Sequence, residues 1–284
     1  PVTSPYWGEY PEHMQSIVSG KYLTAEQPKV TFDETAEAFL AYSKARKKSY
    51  GRDRILVKHL AGFFGGRALM NLTPGLVDDY AEYRKKGAEK AQRKLTGATI
   101  NREIACLKAI IRRAMLNRQL ERNPIQGVKF FREFPRSRTL MPEEYRRLLG
   151  ACAPHFRPIV QLAYDTGMRR SEILGLRWDQ LNLEAGVITL KSSDTKTQEQ
   201  REIPLDGGLI DLIRKIPRVL KCPCVFTFRG HFIKDTKGAF RMACKRAGIV
   251  DFHFHDLRHC AITNFRKAGV GDNTIMSISG HKTH

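Results

Sequence analysis

The sequence predicts a mainly α-helical protein of two domains, with a small β-sheet in the second domain. Apolar residues recur at helical spacing along most of the chain, whereas the segment 186–205 alternates like the two strands of a hairpin. Residues 131–140 contain proline, arginine and serine without periodicity, as is typical of a linker. A chain of 284 residues can bury two cores. The expected divisions are an aromatic-rich, proline-rich extension at 1–25, a helical domain at 26–130, the linker at 131–140 and a second domain at 141–284.

The first domain is predicted to be a helical bundle with basic outer faces. Thr31 and Glu34 form the pattern of a capping box, and Thr73-Pro74 predicts the start of another helix. The clearest helix is expected over about residues 99–117. Its apolar stripe consists of Ile100, Ile104, Leu107, Ile111 and Met115. The basic residues that lie mostly off this stripe are candidates for contact with a polyanion: Arg102, Lys108, Arg112 and Arg113.

The second domain is predicted to combine helices with the hairpin. Pro142 begins a helix whose first turn carries two glutamates, which suit the positive end of the helix dipole. Residues 186–191 and 201–205 are the two expected strands, joined by a polar connection. Further helices are expected at about 156–164, 209–213, 238–247 and 254–267, with a last one between Asp272 and Gly280.

Both domains are strongly basic. The net charge is +20, and residues 26–133 hold 23 basic and 12 acidic side chains (+11) while residues 134–284 hold 25 and 15 (+10). Many individual lysines only form the solvent-exposed face of a helix, but that role does not explain an excess of positive charge in both halves of the chain. Two basic domains joined by a linker indicate a clamp around a polyanion, with Arg136 and Arg138 of the linker following its backbone.

Composition argues against several other classes of protein. The six cysteines are scattered, which favours reduced thiols in a cytoplasmic setting. Cys222 and Cys224 form the only close pair, and no second pair follows at zinc-site spacing. No apolar run approaches membrane-spanning length. We therefore expect neither a metal ion nor a cofactor nor a membrane partner.

Three dispersed motifs make chemical sense together only if folding brings them to one anion. They are Thr-Gly-Met-Arg-Arg-Ser-Glu at 166–172, His-Asp-Leu-Arg-His at 255–259 and Gly-His at 280–281. An arginine offers a planar fork of donors that matches two phosphate oxygens and stays charged at working pH. Fixed cations stabilise the charge that builds on phosphoryl oxygens during attack, and histidine adds a donor or acceptor near neutral pH. A phosphodiester is the expected ligand.

These motifs resemble those of the tyrosine recombinases of the phage integrase family. The resemblance covers most of the chain and implies a helical core-binding domain followed by an α+β catalytic domain. It places the first catalytic arginine at Arg169, with Glu172 as a supporting carboxylate. It places a hairpin lysine, which would protonate the departing 5′ oxygen, at Lys196. The remaining catalytic positions are His255, Arg258 and His281.

The resemblance implies a DNA strand transferase that integrates or excises a phage or other mobile element. Cleavage would pass through a 3′-phosphotyrosyl link and need neither ATP nor metal. Double-stranded DNA is the implied substrate, and a homotetramer on DNA is the implied assembly. The implied location is the cytoplasm of a bacterial host, at the nucleoid. DNA-bending accessory proteins are possible further partners. Every tyrosine lies at or before Tyr164, so we expect this polypeptide to bind DNA without cleaving it and the parent protein to continue beyond His284.

Alternative readings concern both the motifs and the function. The segment 166–172 could be an ordinary helix corner with Arg169 in a surface pair, and His-x-x-Arg alone is a weak signal. His253, His255 and His259 could bind zinc, although Arg258 would place a fixed cation beside the metal. The chain could also be a non-catalytic DNA-binding regulator on a recombinase scaffold, or a type IB topoisomerase-like enzyme that relaxes one duplex.

Overall fold

The fold is mainly helical with small β-sheets, which confirms the predicted fold class. The computed structural model describes residues 30–134, 137–192, 200–220 and 222–280. The expected extension at 1–25 and the linker residue Arg136 lie outside these ranges. The chain divides into two compact units, Pro1–Phe134 and Pro135–His284. None of the described helices has the length and apolar character needed to cross a bilayer.

The first unit is built on four helices: α1 (Phe32–Arg46), α2 (Tyr50–Phe64), α3 (Pro74–Lys90) and α4 (Gly97–Leu116). The predicted capping box is present, because the Thr31 hydroxyl accepts from Glu34 N and the Glu34 carboxylate accepts from Thr31 N. Helices α1, α2 and α4 pack on one another. The stripe on α4 is buried as predicted except at Met115, which is only partly buried.

A buried ionic cluster joins α3 to α4 inside this unit. Arg84 donates to both carboxylate oxygens of Glu103, at 2.9 and 2.6 Å, and the Tyr80 hydroxyl donates to the same carboxylate at 2.8 Å. The Glu103 side chain is 1% exposed. Burial, together with Glu103, raises the pKa of Tyr80, so the hydroxyl stays protonated and keeps donating.

Seven helices make up most of the second unit. They are α5 (Pro142–Ala151), α6 (Arg157–Thr166), α7 (Arg170–Leu174), α8 (Gly207–Arg214), α9 (Lys237–Ala247), α10 (Asp256–Lys267) and α11 (Asp272–Ser279). The helices that the sequence predicted have closely similar bounds, but α7 was not predicted, and α10 begins at Asp256 with His255 as its N-cap residue. Helix α10 packs along α6, and α9 packs along α5.

The predicted hairpin is present and belongs to a three-stranded antiparallel sheet. Its strands are β1 (Leu181–Asn182), β2 (Val187–Leu190) and β3 (Arg201–Pro204), in the order β1-β2-β3. A separate two-stranded hairpin, β4 (Thr227–Phe228) and β5 (His231–Phe232), was not predicted, nor was β1. Along β3 burial alternates, so Arg201 and Ile203 face inward. Helix α11 packs against β3, which brings the end of the described chain beside Arg201.

Candidate functional site

Arg169 is held by the turn between α6 and α7. Helix α6 ends at Gly167, whose φ of 65° is left-handed and whose added Cβ would lie 3.3 Å from the Ala261 side chain. Arg169 is the N-cap residue of α7, and Glu172 reaches back to it. The Glu172 carboxylate accepts from Arg169 N at 2.8 Å and from Arg169 Nη1 at 3.0 Å. With the Arg169 side chain 18% and the Glu172 side chain 1% exposed, the arginine is not in a surface pair.

Arg258 reaches the same turn from helix α10. It is 2% exposed, and its Nη1 donates to the Gly167 carbonyl at 2.6 Å. Burial lowers the pKa of Arg258 to about 10, helped by the charges of Arg169 and Arg201 and opposed by Glu172. The guanidinium therefore stays charged at neutral pH. The structure brings Arg169 and Arg258, which are far apart in sequence, to one turn.

A third arginine, Arg201, lies beside them and was missed in the sequence. Its Nη2 donates to Glu172 Oε2 at 2.6 Å, and its side chain is 6% exposed. The available signal was the alternation of β3, which puts position 201 on the same buried face as Ile203. We call Arg169, Glu172, Arg201 and Arg258 the arginine cluster.

Gly280 closes the arginine cluster from helix α11. Its carbonyl accepts from Arg169 Nη2 at 2.6 Å, and its φ of 71° is left-handed. A Cβ at this position would lie 2.5 Å from Arg201 Nη1 and 3.1 Å from Arg169 Nη1. Both the conformation and the close approach require glycine.

His255 stands at the N-terminus of α10, next to the cluster. Its ring meets that of His259 edge to face, with centroids 5.5 Å apart. Partial burial lowers the pKa of His255, and the charges of His259, Arg258 and Arg169 lower it further, with Asp256 opposing. The imidazole is thus neutral at pH 7 and can accept a proton or donate one hydrogen bond.

The other predicted catalytic positions lie outside the described residues, namely Lys196 and His281. Of the three histidines considered for zinc, His253 is largely exposed and lies with its Nδ1 3.6 Å from Asp256 Oδ2. Within the described ranges, no group of three histidine, cysteine or acidic side chains is arranged to hold a metal ion.

The predicted DNA-contacting residues differ in their surroundings. Arg102 and Arg112 are exposed on α4. Lys108 lies over the Phe130 ring at 4.5 Å and donates to the Val128 carbonyl, and Arg113 lies over the Tyr42 ring at 4.3 Å. Arg138, in the second unit, is bound to Glu144 at 2.6 Å.

A cavity of about 1110 Å³ opens beside Arg169 and His255 in the second unit. Part of its wall is formed by α9, whose exposed residues Lys237, Arg241 and Lys245 recur every fourth position and therefore share one helix face. This basic stripe was not predicted from the sequence, although the spacing of its residues was the available signal.

We expect Gly280→Ala to disrupt the arginine cluster. The new Cβ would collide with the Arg201 guanidinium in a backbone conformation that disfavours alanine, so the cluster must shift. The expected loss of unfolding free energy is about 1–3 kcal/mol, measured by denaturant titration. Gly150→Ala, on α5 with open space around its Cβ position, is the control. An unchanged stability for Gly280→Ala would contradict this packing.

We expect His259→Gln to raise the pKa of His255. The wild-type value is lowered in part by His259, so removing that imidazole removes a repulsive charge and lets His255 protonate at higher pH. The measurement is an NMR titration of the histidine ring protons. A pKa for His255 that stays fixed, or falls, would show that the two rings are not neighbours.

Comparison with known proteins identifies relatives for both units. A family model described as the phage integrase family matches residues 138–284, and one described as a phage integrase SAM-like domain matches residues 30–132. The shufflon-specific DNA recombinase of Escherichia coli is 30% identical over 265 residues, covering 88% of this chain. This chain spans 65% of that relative's length. The integrase of Salmonella phage P22 is 27% identical over 295 residues, covering 90% of this chain and 74% of the integrase.

Solved structures show the same fold. A lambda integrase (75–356) dimer bound to a COC′ core site has a TM-score of 0.74 at 17% identity, covering 89% of this chain and 96% of that one. The Tn1549 transposon integrase in complex with transposon right end DNA has a TM-score of 0.70 at 19% identity, with 88% and 91% covered. At these identities the similarity concerns the fold alone.

Proposed function

This chain belongs to the phage integrase family, and from that premise we propose that it is a site-specific DNA recombinase that cleaves and rejoins DNA through a 3′-phosphotyrosyl intermediate. The observation that carries the proposal is the convergence of Arg169 and Arg258 on one turn, with His255 lining the same cavity as Arg169. In this proposal residues 26–130 form the core-binding domain, residues 131–140 the linker and residues 141–284 the catalytic domain. The integration or excision of a phage or mobile element in a bacterial cell is the proposed outcome.

The proposed chemistry is attack of a tyrosine oxygen on the scissile phosphate. The tyrosine hydroxyl loses its proton as the new bond joins its oxygen to phosphorus, the bond from phosphorus to the 5′ oxygen breaks, and the 5′ oxygen takes up a proton, so that no net proton is consumed. Arg169 and Arg258 stabilise the negative charge that grows on the non-bridging oxygens. His255 is proposed to donate to one of these oxygens. Lys196 is proposed to protonate the leaving group and His281 to complete the phosphate contacts.

Every tyrosine of residues 1–284 lies at or before Tyr164, so none stands at the position that the family resemblance implies for the nucleophile. We propose that a polypeptide limited to these residues binds DNA and does not cleave it.

DNA binding is proposed to involve both units. Residues 26–133 carry a net charge of +11 and residues 134–284 one of +10, and contacts between such basic side chains and phosphates release counterions. In the first unit Arg102 and Arg112 are the proposed contacts with best access to solvent. In the second unit the proposed contacts are the α9 residues Lys237, Arg241 and Lys245. Affinity should therefore fall steeply as the salt concentration rises.

A homotetramer on two duplexes is the proposed active assembly. Recombination exchanges strands between two sites, each of which needs two cleavage events. A lambda integrase tetramer bound to a Holliday junction has the same fold as this chain, with a TM-score of 0.73. DNA-bending accessory proteins are proposed as further partners.

The proposed function is tested with a nicked suicide substrate, on which cleavage releases a short strand and traps the covalent complex. The protein is expressed from its own gene through to the stop codon, alongside residues 1–284 alone. We expect a 3′-phosphotyrosyl complex with the first and DNA binding without a complex with the second. Exchange between two defined sites distinguishes a recombinase from a topoisomerase, which relaxes supercoils only. Binding without cleavage by the protein from its own gene would favour the non-catalytic regulator.

A further inference from the structure

Glu172 lies between two arginines that approach it from different elements. Arg169 approaches from the start of α7 and binds Oε1 at 3.0 Å, whereas Arg201 approaches from β3 and binds Oε2 at 2.6 Å. The carboxylate is 1% and the Arg201 side chain 6% exposed, while Arg169 is 18% exposed. Arg201 therefore lies deeper than Arg169 and binds Oε2, the oxygen that also accepts from the Arg169 backbone N at 2.8 Å.

This arrangement has a clear electrostatic consequence. A carboxylate that pairs with Arg169 alone would cancel most of the positive potential that Arg169 presents to a phosphate. With Arg201 also bound to Glu172, the arginine cluster holds three positive charges (Arg169, Arg201 and Arg258) and one negative charge, which leaves a net charge of +2. The influence of Arg201 extends beyond its direct partner, because its charge also lowers the pKa of Arg258.

A role in fold stability alone is a poor explanation for Arg201. Its Nε and Nη1 atoms are buried and have no hydrogen-bond partner within the described part of the chain. Buried donors without acceptors destabilise a fold, and a buried ion pair is often no better for stability than packed apolar side chains. Stability would favour an apolar residue on this inward face of β3, next to Ile203.

We propose that Arg201 is a positioning residue for strand cleavage: it holds Oε2 of Glu172 and offsets the charge of that carboxylate, so that Arg169 is both oriented and left positive toward the scissile phosphate. This inference rests on the proposed recombinase function and assigns that site a residue that none of the sequence motifs contains. Arg201 acts through Glu172 and Arg169, without touching DNA.

The test compares Arg201→Met with Arg201→Met/Glu172→Gln in the protein expressed from its own gene. Removing the arginine alone leaves Glu172 to neutralise Arg169, so single-turnover cleavage of the suicide substrate should fall about 100-fold, with duplex affinity changed less than about threefold. Removing the carboxylate charge as well restores the net charge, and we expect the double variant to cleave at least about tenfold faster than Arg201→Met. Arg201→Lys, which keeps the charge, should retain more activity than Arg201→Met.

Arg214→Met is the matched control, because it removes the same charge from an exposed position on α8 in the same unit. It should cleave at the wild-type rate. Thermal unfolding of each variant reports the structural effect separately, since a merely structural role gives losses that track stability and cannot be rescued by Glu172→Gln. Wild-type cleavage by Arg201→Met, or a double variant no faster than Arg201→Met, would overturn the proposal.

A second measurement does not depend on cleavage. Binding of inorganic phosphate to residues 1–284, followed through the His255 ring resonances, should weaken in Arg201→Met and recover in the double variant. If the wild-type protein forms no covalent complex yet phosphate binding follows this pattern, the recombinase function fails while the role of Arg201 in the anion site stands. Equal phosphate affinity in all three proteins would overturn the role of Arg201.

Discussion

Arg258→Met is expected to lower the rate of covalent-complex formation by a factor of about 1000 or more, while the affinity for duplex DNA stays within about fivefold of wild type. Arg258 is almost fully buried and fixed by the Gly167 carbonyl, so its charge is already in place when negative charge develops on the phosphate. Binding depends instead on the many other basic side chains. The measurements are single-turnover cleavage of the suicide substrate and a direct binding titration at fixed salt.

The control for Arg258→Met lies on the same helix. Arg266 is an exposed arginine near the end of α10, and its Nε is 3.0 Å from Asp272 Oδ1. Arg266→Met removes one charge from α10 without entering the cluster, and it should cleave normally. If Arg258→Met lost DNA binding by orders of magnitude, Arg258 would have a recognition role and the catalytic assignment would be wrong.

Arg84→Met is expected to destabilise the first unit by roughly 3–5 kcal/mol. Among the described residues, the substitution leaves the buried Glu103 carboxylate with the Tyr80 hydroxyl as its remaining side-chain partner, and an uncompensated buried charge is costly. Hydrogen exchange followed by mass spectrometry locates the loss. Amides of α3 and α4 should exchange faster, while those of α6 and α10 in the second unit keep their protection.

Lys86→Met provides the matched comparison for Arg84→Met. Lys86 is paired with Glu82 on the same helix, α3, with 3.8 Å between Nζ and Oε2 and both side chains largely exposed. Such a pair contributes little, so the variant should lie within about 0.5 kcal/mol of wild type. Equal effects of Arg84→Met and Lys86→Met would mean that the cluster around Glu103 is not buried in solution.

Local patterns predicted most of the helices, since caps and apolar spacing depend on residues close in sequence. Thr31 with Glu34 predicted the start of α1, and the alternation around residues 186–205 predicted β2 and β3. The short strands β1 and β4 were not predicted, because a strand of two residues is too short to show an alternation of apolar and polar side chains. Arg169 and Arg258 were found through motifs, while their meeting at Gly167 required the packing of α10 on α6.

Residues whose roles depend on tertiary neighbours could not be predicted. Arg201 belongs to no motif, and its pairing with Glu172 joins a strand and a helix that are 29 residues apart in sequence. Lys108 and Arg113 were expected on an outer basic face, yet each lies over an aromatic ring. Helical periodicity tells which face a side chain occupies, but the partner it meets is set by other elements.

We propose that Arg169 and Arg258 bind one scissile phosphate, and a crystal structure of this chain on duplex DNA is the decisive test. We expect one phosphate with its non-bridging oxygens within about 3.2 Å of both guanidinium groups, and His255 beside it. A complex in which the two arginines contact different phosphates, or in which the DNA lies away from the cluster, would contradict the claim.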